Sequence, residues 1–209
     1  MFEVRQAKRT RRPLKINLEG LSGSGKTYTA LRMAFDMRRN GIGSKIVVVD
    51  SENSSSELYA GLVVDEEQWQ FDVVAMPPAN QDPKTYTDGY NFLVKHGYDI
   101  IIFDSLTHAW HGALDQVEAT AAKMKKPDKF AAWATVTPIQ RRMLETLTDG
   151  RSHLITTMRL KSEYERVDDN GRSNIRKVGT KADQRADTEY EFDLVIRLDQ
   201  SHNAVVDKV

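Results

Sequence analysis

Residues 14–27 read LKINLEGLSGSGKT, an alternating apolar run followed by the pattern Gly-x-x-x-x-Gly-Lys-Thr. The run at 14–18 alternates as a half-buried strand does, and apolar residues from Ala30 to Phe35 recur at helical spacing. The glycine-rich pattern therefore lies between a strand and a helix, which is the context that a phosphate-binding loop requires. We expect this loop to hold a nucleoside triphosphate.

The residues of this loop have separate chemical roles. Glycines permit the backbone angles that turn successive N–H groups toward phosphate, and the helix that starts near Lys26 adds its positive N-terminal end. Lys26 is expected to reach the β- and γ-phosphates, and Thr27 to ligate Mg²⁺. The alternative is a glycine-rich turn that binds nothing. The predicted nucleotide-binding residues are Gly20, Ser22, Gly23, Ser24, Gly25, Lys26, Thr27 and Tyr28.

Composition restricts the class of protein. A chain of 209 residues fits one α/β domain over residues 1–209. Thirty basic and thirty acidic residues balance, and the absence of cysteine excludes disulfides and thiolate metal sites. The longest apolar runs are far shorter than the roughly 20 residues that cross a bilayer. We expect a cytoplasmic protein with no membrane partner.

Five further apolar segments follow the first strand, with helix-length amphipathic stretches between most of them. This alternation is typical of an α/β fold in which helices cover both faces of a mostly parallel sheet. The predicted strands are 14–19, 45–50, 71–76, 98–104, 152–158 and 192–198. The predicted helices are 26–39, a short one near 54–61, 83–96, and two within 106–125 and 130–148.

Residues 160–187 differ from the rest of the chain because they are polar and charged. The sequence DDNG at 168–171 is a strong turn signal between two weakly alternating arms, 162–167 and 172–178. We predict a protruding hairpin or a mobile loop with a function, and disorder is the alternative.

Three clusters of basic residues interrupt the balanced charge. Each is as readily a solvated face as a contact for a polyanion. They are Arg5, Lys8, Arg9, Arg11, Arg12 and Lys15 in and just after the basic N-terminal segment 1–13; Lys123, Lys125, Lys126 and Lys129; and Arg172, Arg176, Lys177, Lys181 and Arg185.

A second signature of nucleotide-hydrolysing proteins is the sequence IIIFDS at 100–105, a buried strand that ends in an acid. At this distance after a phosphate loop, Asp104 is expected to hold the Mg²⁺ shell, often through water. Any buried strand can end in an aspartate at a turn, which is the alternative for this residue.

Hydrolysis also needs a group that orients the attacking water. Many ATPases place a glutamate directly after the strand-ending aspartate, but Ser105 stands there. Glu52 follows another buried run, at the carboxyl end of a strand, where the ligands of such sheets bind. We predict that Glu52 is the catalytic base. In the alternative, Glu52 is solvated and a polar neighbour caps the next helix: Asp50, Ser51 or Asn53.

The order of these motifs resembles the ATPase core of RecA-type recombinases, in which an Asp-x-Glu glutamate activates water. Here the order is the phosphate loop, DSE at 50–52, DS at 104–105, a helix pair and a strand ending TTMR at 156–159. More narrowly, the chain is similar over nearly its whole length to a family of compact phage and prophage ATPases, regarded as minimal RecA-like single-strand annealing or recombination proteins. The stretches that carry this similarity are DSLTHAW at 104–110, TMRLKSEY at 157–164, KVG at 177–179, QR at 184–185 and EYEFD at 189–193.

The resemblance implies roles for individual residues. Lys26, Glu52 and Asp104 would be catalytic, with Thr27 and Asp104 at Mg²⁺ and ATP as the nucleotide. It also implies single-stranded DNA as a partner, a homo-oligomeric filament or ring, and a single-stranded DNA-binding protein as a further partner. One position departs from RecA, which has a γ-phosphate-sensing glutamine where this chain ends its strand in TTMR. Arg159 is a candidate sensor there, or it faces solvent.

Several residues of the charged segment 160–187 have both a functional interpretation and an ordinary structural one. Lys181 and Arg185 are candidate cations for a neighbouring subunit's nucleotide, or they line a DNA path or pair with nearby aspartates such as Asp183 and Asp187. Aromatic and basic side chains in the segment suit single-stranded DNA, one stacking on a base and the others contacting phosphates, although an ordinary exposed hairpin is the alternative. These candidate DNA contacts are Tyr164, Arg166, Arg172, Arg176 and Lys177.

Four residues with ring side chains lie within the predicted helix pair. His108 and His111 lie close to Asp104 in sequence, but two histidines without further convergent ligands do not indicate a metal site. Trp110 and Trp133 are expected to pack the helices onto the sheet.

The leading hypothesis is a RecA-like ATPase that acts on single-stranded DNA in phage-type recombination or annealing. A small-molecule or nucleotide kinase would use the same loop and close residues 160–187 as a lid. A nucleotide-gated binding module with little turnover is the third hypothesis. The last predicted strand ends close to Val209, and the sequence leaves open whether the chain continues beyond that residue.

Overall fold

The computed structural model describes residues 4–8, 11–169 and 172–209, and for 164–169 and 172–178 it describes the backbone alone. The strands are β1 (Lys15–Gly20), β2 (Ile46–Asp50), β3 (Val63–Val64), β4 (Glu67–Gln68), β5 (Asp72–Ala75), β6 (Ile100–Asp104), β7 (His153–Asp169), β8 (Arg172–Ala182), β9 (Leu194–Leu198) and β10 (Ala204–Lys208). The helices are α1 (Lys26–Arg39), α2 (Pro83–Lys95), α3 (Thr107–Ala122) and α4 (Lys129–Asp149), with short 3-10 helices at Ser55–Tyr59, Pro78–Asn80 and Thr188–Glu191.

The main sheet has the strand order β10-β9-β1-β7-β6-β2-β5. Its strands are parallel except β10, which is antiparallel to β9. The structure thus confirms the predicted α/β fold with a mostly parallel sheet. One strand, β7, separates the strand before the phosphate loop from the strand that ends in Asp104, so the two predicted motifs lie near each other at the carboxyl edge.

The continuous apolar runs of the central strands follow from burial on both faces. In β2, Val47 and Val49 face a core formed with α2 and α4, while Ile46 and Val48 face a core formed with α1 and its Phe35. Helices on both faces therefore exclude water from the middle of the sheet and leave its edges for polar residues.

The charged segment forms a long hairpin. Strand β7 continues to Asp169 and pairs antiparallel with β8, from Leu160 opposite Ala182 to Asp169 opposite Arg172. Of the two predicted forms, the hairpin is the one observed. Strand β10 and the small β3–β4 pair were not predicted, because β3 and β4 have two residues each and β10 is exposed along most of its length.

Helices α3 and α4 pack on each other through a small core of their own, with Ala113, Val117 and Ala132 buried between them. Trp110 and Trp133 stack in this core with ring centroids 5.5 Å apart. The expectation that these rings pack helices onto the sheet was wrong, since they join helix to helix.

Two further observations concern the chain as a whole. Lys15, grouped in sequence with the basic N-terminal cluster, is buried at the start of β1. None of the helices in the described part of the chain combines the length and apolar character that a bilayer crossing needs.

Candidate active site

The loop between β1 and α1 depends on its glycines. A Cβ atom on Gly20 would lie 2.2 Å from Ser24 Oγ and 2.9 Å from the Leu198 carbonyl oxygen. Gly23 and Gly25 have φ values of +78° and +89°, in the left-handed region that disfavours side chains. The backbone can therefore follow this tight path only with glycine at these positions.

Lys26 and Ser24 point their polar groups into the loop. Lys26 Nζ donates a hydrogen bond to the Leu21 carbonyl oxygen at 2.9 Å. Burial lowers the pKa of Lys26, opposed by the charges of Asp104 and Glu52. Ser24 Oγ is buried without a hydrogen-bond partner among the described residues. A phosphate chain fits this cradle, since its oxygens would accept from the ammonium, the hydroxyl and the loop N–H groups.

Asp104 lies at the centre of a cluster of oxygen atoms. Thr27 Oγ1 donates to Asp104 Oδ2 at 2.6 Å, and Thr157 Oγ1 donates to Oδ1. Burial raises the pKa of Asp104, opposed by the hydrogen bonds from Thr157 and Thr27. A hydroxyl and a carboxylate that meet beside a phosphate cradle are ligands that Mg²⁺ prefers, directly or through water. The residues present therefore fit the expected metal.

Glu52 and Arg159 form a bidentate ion pair across this edge of the sheet. Arg159 Nε donates to Glu52 Oε1 at 2.9 Å, and an Arg159 terminal nitrogen donates to Oε2. Burial acts to raise the pKa of Glu52, but the hydrogen bond and charge of Arg159 outweigh it, so the pKa is lowered. The Glu52 side chain is only 21% exposed. The sequence named both residues, but their separation of more than 100 positions gave no signal that they pair.

The turn that carries Glu52 is fixed by its neighbours. Asp50 accepts hydrogen bonds from the Glu52 N–H at 2.7 Å and the Ser56 N–H at 2.8 Å. Ser51 Oγ accepts from the Ser105 N–H at 2.9 Å and lies 2.8 Å from His108 Nδ1. Asp50 thus bonds to the first turn of the following 3-10 helix, whose N-cap residue is Ser54, while Glu52 stays at the edge of the site.

His202 is a residue near the loop that the sequence did not indicate. Its Nδ1 lies 3.3 Å from the Ser24 carbonyl oxygen and 3.3 Å from the position of a Cβ on Gly25. Asp199 holds the turn by accepting from the N–H groups of Ser201 and Asn203. The polar sequence DQSHN at 199–203 was the only available signal, and it indicates a turn without indicating what the turn contacts.

The two candidate trans cations lie at the base of the hairpin, Lys181 near the end of β8 and Arg185 shortly after that strand. Lys181 pairs with Glu163 at 3.0 Å, whereas Asp183 pairs with Lys161 at 2.7 Å, so the considered pairing of Lys181 with Asp183 was wrong. Lys181 and Arg185 line a cavity of about 760 Å³ at the base of the hairpin.

The candidate DNA contacts cannot be placed in the same way. They lie on the hairpin, where the side chains fall outside the described part of the structure: Tyr164, Arg166, Arg172, Arg176 and Lys177.

The fold and these contacts define the class of the protein. A phosphate loop after β1, an acid at the end of β6 bonded to Thr27, and one strand between them form a RecA-like P-loop NTPase core. A family model described as AAA domain (AAA_24) matches residues 12–209. The chain belongs to this family.

Two solved structures are similar to the chain in fold. The KaiC-like protein PH0186 from the hyperthermophilic archaeon Pyrococcus horikoshii OT3 has 14% identity and a TM-score of 0.46, with 93% of this chain and 78% of that chain covered. The genome packaging NTPase B204 from Sulfolobus turreted icosahedral virus 2, in complex with sulfate, has 18% identity and a TM-score of 0.48, with coverages of 88% and 74%. None of the curated proteins compared with the chain matches it.

Proposed function

We propose that this protein hydrolyses ATP with Mg²⁺ and acts on single-stranded DNA in annealing or recombination of the phage type. The observation that carries the ATPase part is the convergence of Lys26, the Thr27–Asp104 hydrogen bond and the Glu52–Arg159 pair at one edge of the sheet. These are the groups that phosphoryl transfer to water requires.

Different residues of the chain bind the nucleotide and accept the proton. Loop N–H groups, Ser24 and Lys26 hold the phosphates, and Thr27 with Asp104 provides the oxygens for the metal. When bound there, Mg²⁺ supplies charge neutralisation at the β- and γ-phosphates. Ionised Glu52 accepts a hydrogen bond from the attacking water and takes its proton.

Arg159 controls whether Glu52 is available in this scheme. In the observed pair, the guanidinium occupies both oxygens of the carboxylate. A bound γ-phosphate offers the same guanidinium a second anion, since arginine binds phosphate and carboxylate in the same bidentate way. Arg159 would then turn toward the nucleotide and leave Glu52 for the water, which is the sensor role, one of the two alternatives that the sequence left open for this residue.

The DNA part of the proposal is supported by the sequence resemblance and by the course of β7. The same strand carries Thr157 and Arg159 at the nucleotide site and continues into the hairpin. A nucleotide-dependent change at these residues therefore has a direct covalent route to a basic surface element.

The test is ATP turnover measured across a titration of single-stranded DNA, with the Lys26→Ala variant as a blank. Stimulation of turnover by DNA supports the proposal. Turnover that requires a small acceptor molecule would identify a kinase, and negligible turnover with ATP-dependent association would identify a gated binding module. Either of these two results contradicts the proposed function.

A further inference from the structure

The helix pair α3–α4 extends beyond the carboxyl edge of the sheet. Helix α3 starts directly after β6, at that edge, and α4 ends just before the start of β7, at the opposite edge. Their 16 and 21 residues span about 24 Å and about 31 Å, whereas β6 with 5 residues spans about 16 Å. Helix α4 is therefore too long to begin at the level of the sheet.

Packing along α4 agrees with this geometry. Its C-terminal half, with Met143 and Leu147, belongs to the core of the sheet, whereas Ala132 and Val136 pack only in the small core with α3. The boundary falls near Gln140, whose Nε2 donates to Gln184 Oε1 at 3.3 Å beside the base of β8. The distal end of the helix pair thus lies on the same edge as the phosphate loop and the β7–β8 hairpin.

The connection at this distal end, residues 123–130, is here called the helical tip. It carries the exposed lysines Lys123, Lys125 and Lys126, and Lys129, which pairs with Glu118. Phe130 is 89% exposed. Asp128, the acid within the tip, caps α4 by accepting from the N–H groups of Phe130 at 2.9 Å and Ala131 at 3.2 Å. The cap fixes the backbone that carries Phe130, next to the lysines in the chain.

We propose that the helical tip binds single-stranded DNA, with its lysines on phosphates and Phe130 stacked on a base. Three arguments select this partner. The excess of positive charge is complementary to a polyanion. An exposed aromatic ring set among cations is the usual platform for an unpaired base. The tip lies on the edge that carries the nucleotide site, and the helix pair that carries the tip contacts the hairpin base through Gln140 with Gln184 and His111 with Asp183.

This proposal rests on the proposed action on DNA, and it names a surface for that action. Its first test is the affinity for a fluorescent oligothymidylate at several salt concentrations. In the double variant K125A/K126A, the slope of log affinity against log salt should fall by about 1.4, because each phosphate contact on a single strand contributes about 0.7. The matched control K45A/K95A removes two lysines at the amino edge of the sheet and should leave the slope unchanged.

The second test separates base stacking from general apolar contact. Phe130→Leu should weaken binding about 5-fold or more, whereas Phe130→Trp should retain it, because stacking contributes about 1–3 kcal/mol per base and needs a ring. Phe92→Leu, at an exposed position of α2, is the matched control. ATP turnover without DNA should be unchanged in all these variants.

The outcomes distinguish two failures. If the wild-type protein binds the oligonucleotide and the tip variants bind it with the same affinity and salt slope, the helical tip is not the contact, and the proposed function stands. If the wild-type protein does not bind it with or without ATP, the proposed action on DNA is wrong and the assignment of the tip fails with it.

Discussion

The ion pair of Glu52 with Arg159 sets both the position and the charge of the candidate base. Burial alone would favour a neutral carboxyl group, but the guanidinium lowers the pKa of Glu52. The carboxylate therefore stays ionised at neutral pH, as a base must be. The same contact occupies the lone pairs that a water would use, so the pair describes a resting arrangement of the site.

Replacing Glu52 by glutamine should separate binding from chemistry. Glu52→Gln keeps the size of the side chain and leaves the phosphate loop intact, so nucleotide affinity should change little. Turnover should fall about 10²-fold or more, the usual contribution of a general base. Fluorescent-nucleotide binding and steady-state turnover are the two measurements. Glu57→Gln, on the adjacent 3-10 helix, is the control, and undiminished turnover in Glu52→Gln would contradict the assignment.

The buried ammonium of Lys15 leads us to expect an unusual dependence of the free energy of unfolding on pH. Its Nζ donates to the carbonyl oxygens of Gly150 at 2.9 Å and Ser152 at 2.7 Å, and burial lowers its pKa to about 8. Because the unfolded chain binds its proton up to a pKa near 10.4, the unfolded state holds more protons between these values. The free energy of unfolding must therefore rise with pH in this window.

The measurement is chemical denaturation of the wild-type protein and of Lys15→Met as a function of pH. Between about pH 7.5 and pH 9, the wild-type protein should gain about 1 kcal/mol relative to the variant. The gain should saturate above the pKa of the unfolded state. Parallel profiles for the two proteins would show that Lys15 keeps its ordinary pKa in the folded state.

At the scale of elements, buried strands were predictable and long-range pairings were not. The runs at 46–49 and 100–103 are apolar throughout, so the type and place of these strands followed from composition. The sequence also indicated the hairpin, because DDNG is a turn signal. It did not indicate that β7 would be continuous from the sheet core into the hairpin, since the polar residues after Arg159 pair only with β8.

The packing of α3 against the start of α2 depends on Gly112. A Cβ there would lie 1.9 Å from the Gln81 carbonyl oxygen and 2.8 Å from the Asp82 Cα, and neither backbone atom can move alone. Gly112→Ala should therefore lower the free energy of unfolding by about 1–3 kcal/mol or more. In Gly89→Ala, where a Cβ meets nothing within 4 Å inside α2, stability should instead rise by about 0.5–1 kcal/mol. Denaturant midpoints of the two variants measure the contrast, and equal effects would contradict this packing.

At the scale of the whole molecule, Arg185 is the residue proposed to contact a neighbouring subunit's nucleotide. Arg185 is exposed and lines the cavity at the hairpin base, and no described residue of its own phosphate loop belongs to that lining. If it serves a neighbour's nucleotide, Lys26→Ala and Arg185→Ala should each abolish turnover, because each removes one half of every interface site. A mixture of the two variants should recover turnover, since some interfaces then combine an intact loop with an intact arginine.

Two controls accompany this mixing experiment. A mixture of Lys26→Ala with the double variant K26A/R185A should stay inactive, because no subunit in it has an intact loop. Sedimentation velocity should show that both single variants still assemble with ATP. Inactivity of the first mixture, with assembly intact, would place Arg185 outside the catalytic contact.

The parts of the site differ in how far the sequence predicts them. The phosphate loop and Asp104 follow from local patterns, because their chemistry requires residues at fixed spacing. Other contacts of the site join residues that are distant in the chain. They include the contacts of Thr157 with Asp104, of Arg159 with Glu52, and of His202 with the surroundings of Gly25. Such contacts depend on the strand order, and one sequence does not specify it.

The continuity of β7 gives the molecule a lever arm. Inside the sheet, the strand touches both acids of the site through Thr157 and Arg159, and from Leu160 onward its partner is β8. At about 3.3 Å per residue, Asp169 lies about 30 Å past Leu160, so a tilt of about 5° at the edge of the sheet moves it by about 3 Å. Displacements too small to disturb the packed core are thus amplified mechanically at the far end of the hairpin.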